Sequence, residues 1–284
     1  MIQSARSDAG IQPATSVNPV PSEGWHVLHL FHTIDRGQWA LMSADERLEA
    51  KTALTRLIGD VRSEQGTQLL VFAMNTPKAD LGFMLLTPGL TDACRIEKRL
   101  ANALGPDVLT PCYSYLSMTE RSEYTTTAEQ YGETLVREQG LTAGSTEHTR
   151  AMEEFHTRME KYVKDRLYPN MPDWPVFCFY NMSKRRSGND NWYSLDFESR
   201  RRLMQGHARV GRQYAGRIRQ LITGSTGLDE AEWGVTLFAR DTFDIKAIVY
   251  EMRFDEVSAR YAEFGDFYIG LQLPLDEIFR TLDL

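Results

Sequence analysis

Long apolar runs are missing from this 284-residue chain, and with them any segment approaching the ~20 residues that a membrane-spanning helix requires. Cysteine is scarce as well. Cys94, Cys112 and Cys178 lie far apart, are odd in number and form no CxxC pair. This argues against a disulfide framework and a cysteine-based zinc centre, and fits a reducing compartment. HExxH, the Walker A loop, GxSxG and GxGxxG are absent, so zinc hydrolysis, P-loop chemistry, nucleophile-elbow hydrolysis and dinucleotide-dependent hydride transfer lose their usual signatures. The aromatic signature strand of RNA-recognition modules is absent too, and no nucleic-acid partner is expected. The first 24 residues, rich in Ser, Pro, Ala and Gly, lack the apolar core of a signal peptide. They read as a disordered leader, and a soluble, cytoplasmic protein with no membrane contact is expected.

What is present is a globular balance, 42% hydrophobic and 25% charged, with ample material for a core. "GWHVLHLFHTI" alternates as a strand, and "ADERLEAKTALTRLIGDV" follows with helical spacing and a capping Ser43 or Asp45. Two strand-like runs, "TQLLVFAMN" and "LGFMLLT", precede a helix "LTDACRIEKRLANAL" stopped by Gly105 and Pro106, and "YSYLSM" closes the set. The order β-α-β-β-α-β recurs in the second half, through "PVFCFYNM", "DFESRRRLMQGHARVGRQYA", "IRQLITG", "EWGVTLFA", "FDIKAIVYEMRFDEVSARYA" read as a helix and a turn, and "FYIGLQL". The expected fold is therefore α+β, with two ferredoxin-like units per chain whose sheets pack face to face into a barrel-like sandwich. The expected division is a leader over 1–24, an N-terminal unit over 25–119, a helical connector over 120–174 and a C-terminal unit over 175–284.

Charge is unevenly placed. The formal net charge is −7, yet residues 180–220 hold ten Lys or Arg against three acids. Such a run is either a solvated face or a site for a polyanion. Of six histidines, His26, His29 and His32 stand three apart on one strand, so alternation sends His29 to the opposite face and prevents a metal triad. His148 and His156 lie in a charged helix without cysteine or protease spacing around them. His207 alone stands in the basic run, flanked by the small residues Gly206 and Ala208. One histidine suffices as the axial ligand of haem, where the porphyrin supplies the other iron bonds, and porphyrin carboxylates call for cations.

"FYNMSKRR", "NWYSL", "LMQGHARVGRQYAG", "ITGSTGLDEAEWGVTLFARD" and "VYEMRFDEVSARYAEFG" cover most of residues 164–272. In order and spacing they resemble successive blocks of the coproheme decarboxylases, within the chlorite-dismutase-like superfamily. The resemblance implies two ferredoxin-like units, haem in the C-terminal one, and a homopentamer. It implies His207 as proximal iron ligand, Tyr180 as redox-active tyrosine and Lys184 as a propionate contact that assists the second decarboxylation. Arg166 and Ser258 would be further propionate contacts, Gln220 the distal glutamine, Trp192 the proximal-side tryptophan and Glu256 a candidate partner of the proximal histidine. Two positions depart from the family pattern: Asn181 replaces a proline after the tyrosine, and Ala208 a glycine after the histidine. Asn181 is expected to loosen the backbone that aims Tyr180.

The implied reaction takes Fe-coproporphyrin III, both substrate and redox cofactor, and hydrogen peroxide to haem b, converting two propionates to vinyl groups with release of CO2. Oxidation of Tyr180 would give a tyrosyl radical that abstracts hydrogen from a propionate β-carbon, and the surrounding guanidinium charge would keep the His207 imidazole neutral. A ferrochelatase is a possible transient partner. The nearest alternative is chlorite dismutation, which uses a distal arginine where this chain has Gln220; a haem carrier or sensor without catalysis is the other.

Overall fold

The computed structural model describes residues 17–284. Of the leader read over 1–24, residues 1–16 lie outside the described residues. The rest runs along the first unit, where the Asn18 amide donates to Asp92 (2.7 Å) and Leu90 N–H donates to the Pro19 carbonyl (2.9 Å).

The first unit comprises β1 (His26–Ile34), α1 (Arg36–Leu41), α2 (Ala44–Ser63), β2 (Gln68–Met74), β3 (Leu81–Thr87), α3 (Leu90–Ala101) and β4 (Leu109–Thr119). Two helices follow, α4 (Ala128–Gln139) and α5 (Thr146–Leu167). The second unit comprises β5 (Val176–Lys184), α6 (Phe197–Arg212), β6 (Ile218–Gly224), β7 (Trp233–Ala239), α7 (Thr242–Met252), α8 (Glu256–Tyr261) and β8 (Ala262–Leu271), with α9 (Leu275–Thr281) at the end. The strands form one closed antiparallel barrel in the order β1-β3-β2-β8-β5-β7-β6-β4. Each half keeps the ferredoxin-like order, β4-β1-β3-β2 and β8-β5-β7-β6. The seams between them are short: Ala73 and Met74 pair with Leu271 and Gly270, and Met118 and Thr119 pair with Gly224 and Thr223. Closure removes the free sheet edges that two separate units would expose.

Strand alternation sorts the core into layers. Val27, Phe31, Phe72, Phe177, Phe179 and Phe238 fill the lumen, while Leu30, Leu69, Val71, Phe83 and Leu85 face outward under α2 and α3. His29 is fully buried in the lumen, stacked 4.0 Å from the Phe179 ring, with Nε2 2.8 Å from the Thr236 hydroxyl. His26 and His32 are also buried; His32 meets Phe83 edge-on in the outward layer. The three histidines thus divide between faces as expected, and burial shows them to be interior residues.

Several boundaries differ from the sequence expectation. α3 ends at Ala101, before Gly105 and Pro106, and α1 and α9 are additional. The segment read as one helix and a turn is two helices, because Asp255 caps α8 by accepting from Val257 and Ser258 N–H.

The helices of the two units pack differently. α2 is capped by a Ser43–Glu46 capping box and buries Ala50, Leu54, Leu57, Ile58 and Val61. Its counterpart α6 has no fully buried residue: Leu203, Met204 and Val210 are only partly covered, and the helix packs on α7 and α8. α7 buries Ile245, Ile248 and Met252. One amphipathic helix is therefore incompletely packed, and it is the helix that carries His207.

Candidate functional site

β5 is the central element. Period-two alternation puts Tyr180, Met182 and Lys184 on its outward face, with Tyr180 and Lys184 about 13 Å apart along the strand. Tyr180 is 5% exposed; its ring stacks on Phe267 at 4.5 Å and lies 5.8 Å from Phe264. Burial pushes its phenol pKa well above the ordinary value, so the hydroxyl is neutral at physiological pH. Arg253, over the Phe264 ring at 4.8 Å, opposes that shift.

His207 lies on α6 with Nδ1 2.9 Å from Asp255 Oδ2. A carboxylate only accepts, so Nδ1–H is the donor and the neutral ring keeps its lone pair on Nε2. Ser258 donates its hydroxyl to the same Oδ2 at 2.9 Å, and Asp255 Oδ1 caps α8. Burial alone would raise the Asp255 pKa; the His207 and Ser258 hydrogen bonds outweigh it and hold the carboxyl below its ordinary value.

Lys184 is 7% exposed. Its ammonium stands 4.7 Å from the centre of the Trp192 ring and makes no ion pair or hydrogen bond among the described residues. Burial lowers its pKa to about 8, although Asp255 and Glu232 pull the other way. Trp192 is itself buried against Tyr261 at 5.4 Å. Glu232 fixes the end of β5: its carboxylate accepts from Lys184 N–H and Tyr193 O–H, both at 2.6 Å.

The other two positions lie at the margin of this face. Arg166, in the last turn of α5, donates from Nε to the Glu120 carbonyl at 3.3 Å. The Glu120 carboxylate accepts from the Trp233 indole at 3.2 Å, and Trp233 pairs with Met182. Gln220 on β6 shares a row with Leu237 and Cys178, on the same outward face as Tyr180. Among the described residues no group of three His, Cys, Asp or Glu is placed to hold a bare metal ion.

The structure thus joins His207 with Ser258, and Lys184 with Trp192, along the face that carries Tyr180 and Gln220. Two expectations change, those for Glu256 and Asn181. Glu256 pairs with Arg260 at 2.9 Å, and the histidine's partner is Asp255. Ser258 is engaged with that same carboxylate. Asn181 is not loose, because its amide donates to the Tyr113 hydroxyl at 2.5 Å. Two of the α6 arginines are engaged elsewhere: Arg200 donates to the Leu195 carbonyl and Arg201 pairs with Glu198. Sequence reasoning missed Asp255, Glu232 and Arg253. An aspartate one residue before a short helix is a capping signal that marks Asp255, but nothing local marks the other two.

Similarity to the family described as chlorite dismutase extends over residues 47–273. The chain belongs to the chlorite dismutase family. Among solved structures of similar proteins, a heme-binding protein from Thermus thermophilus is 36% identical, covers 94% of this chain and 98% of its own, and superposes with a TM-score of 0.77. An arginine-to-lysine variant of chlorite dismutase from Candidatus Nitrospira defluvii is 16% identical over 93% and 97% of the two chains, with a TM-score of 0.69, a likeness of fold. Among the described residues of this chlorite dismutase family member, no helix is long and apolar enough to cross a membrane.

Proposed function

We propose that this protein binds Fe-coproporphyrin III between α6 and the outward face of β5, β7 and β6, and decarboxylates two of its propionates with hydrogen peroxide to give haem b. The observation that carries this reading is Lys184: a buried ammonium with no ion pair among the described residues is a desolvated cation in need of an anion. The Thermus relative, described as heme-binding, supports an iron porphyrin as the ligand class. The residues present fit such a group. His207 Nδ1 is tied to Asp255 while Nε2 carries no hydrogen bond among the described residues, and the apolar residues Leu203, Met204 and Val210 of α6 are only partly buried.

His207 would hold the iron, with Asp255 fixing its tautomer and increasing the electron density of the ring. Lys184 would fix a propionate carboxylate near the Trp192 ring, Arg166 would approach another at the margin, and Gln220 would face the distal side. Ser258, which donates to Asp255, would be a further propionate contact. When bound, the iron porphyrin supplies the peroxide chemistry that oxidises Tyr180. The buried phenol, kept protonated, gives up an electron and a proton and then takes hydrogen from the propionate β-carbon. Each propionate carboxylate thereby loses CO2 and, from its β-carbon and carboxylate together, one proton and two electrons; one hydrogen peroxide takes up the two electrons with that proton and one from solvent and becomes two waters. Domain limits of 25–119, 120–174 and 175–284, a homopentameric assembly, a cytoplasmic location and transient contact with a ferrochelatase belong to the same proposal.

Tyr180→Phe tests the radical assignment: coproheme binding persists and decarboxylation is lost. A Phe variant that makes haem b at the parent rate refutes it. Chlorite turnover is the alternative that the family relationship raises. Gln220 offers an amide rather than a guanidinium there, and vigorous oxygen evolution from chlorite by the haem-loaded protein would favour that reading instead.

A further inference from the structure

The strand pairing around Tyr180 is irregular in one place. Tyr180 pairs with Phe267 and Met182 with Phe264, so β8 carries one residue more than β5 between these partners. Residues three apart on a regular strand point to opposite faces, and the extra residue cancels that inversion. Phe264 and Phe267 therefore both lie against Tyr180, and together they set the orientation of its ring. Asn181 occupies the opposite face at the same level. A Cβ at Gly265, within the bulge, would collide with Asn181 Oδ1. The Asn181 amide reaches across to the Tyr113 hydroxyl of β4, in the other unit. Tyr113 is held in turn by a stack on Tyr268 with ring centres 5.2 Å apart.

We propose that Asn181 is a positioning residue: with Gly265 and Tyr113 it locks the β8 bulge in register, and the bulge aims Tyr180. The lock is built from three separated segments, so the removal of any one member frees the bulge. This rests on the reading of Tyr180 as the oxidised residue, and the test separates the two ideas.

The ligand-free protein, labelled with 13Cζ-tyrosine, gives a Tyr180 resonance identified by its loss in Tyr180→Phe. In Asn181→Ala and in Tyr113→Phe, that resonance is expected to shift and broaden as the ring leaves the Phe267 stack. Tyr113→Phe leaves both strands' own side chains untouched, so it remains informative if Gly265→Ala or Asn181→Ala folds poorly. In the coproheme-loaded protein, the first decarboxylation is expected to slow by up to about 100-fold while the coproheme Kd stays within about twofold. A Tyr180 resonance unmoved in both variants overturns the proposal, because a merely structural contact would lower the melting temperature without altering the ring. If the parent protein does not decarboxylate coproheme, the functional reading fails, and the resonance still decides whether Asn181 aims Tyr180.

Discussion

Lys184 is predicted to destabilise the ligand-free fold. Its pKa falls from an ordinary 10.5 to about 8, chiefly through burial. A fall of that size corresponds to about 3 kcal/mol against the protonated form. The Trp192 ring at 4.7 Å returns about 1 kcal/mol, leaving a net penalty of about 2 kcal/mol. Between pH 8 and 10.5 the unfolded chain holds a proton on this amine that the folded chain has released, so stability rises with pH across that window. Below it the full penalty is present. Lys184→Met keeps the length and removes the charge, and is expected to stabilise the ligand-free protein by about 2 kcal/mol near pH 7. The gain should shrink as pH rises through the window. Urea unfolding of both proteins at several pH values measures this, and porphyrin titrations should show the same variant binding carboxylated porphyrin more weakly. A Met variant no more stable than the parent near pH 7 would refute the view that Lys184 waits for an anion.

Asp255→Asn should break the orientation of His207. We expect iron-porphyrin affinity to fall by about 10- to 100-fold and the iron–histidine stretching frequency, read by resonance Raman, to drop; unchanged values would remove Asp255 from the site. His29 has its pKa lowered to about 3 by burial, so the folded state resists protonation that the unfolded chain accepts below pH 6.5. Stability is therefore lost as pH falls from 6.5 towards 3, and His29→Gln, which keeps a partner for Thr236, should flatten that dependence in acid-unfolding curves.

Much of the fold is legible in the chain because strands buried between a lumen and covering helices stand out as short, nearly continuous apolar runs between segments of helical spacing. The repeated β-α-β-β-α-β order followed directly from that pattern. Closure did not, since each seam rests on two residue pairs that leave no mark on composition. The burial of His26, His29 and His32 was equally hidden, because it depends on β1 lying between β3 and β4. At the site, His207 was visible as a lone histidine among cations, whereas its carboxylate partner lies 48 residues away, in a turn that hydrophobic periodicity had run together. Asn181 illustrates the same limit: read locally it weakens a strand, but its anchor comes from Tyr113, 68 positions earlier.

The sharpest difference between the two units is that α2 fills its sheet face and α6 does not. A chain that merely needed stability would bury Leu203 and Met204 as it buries Leu54 and Ile58, at about 1.5 to 3 kcal/mol each. Leaving that surface incomplete beside a desolvated lysine fits a ligand that is flat, apolar in its body and anionic at its rim.

The central claim is tested most directly by loading the purified ligand-free protein with Fe-coproporphyrin III, titrating hydrogen peroxide and following the porphyrin by mass spectrometry. Two successive losses, each of a carboxyl group with one hydrogen, ending at the mass of haem b, are the predicted result. A porphyrin whose mass stays that of coproheme through the titration would contradict the account.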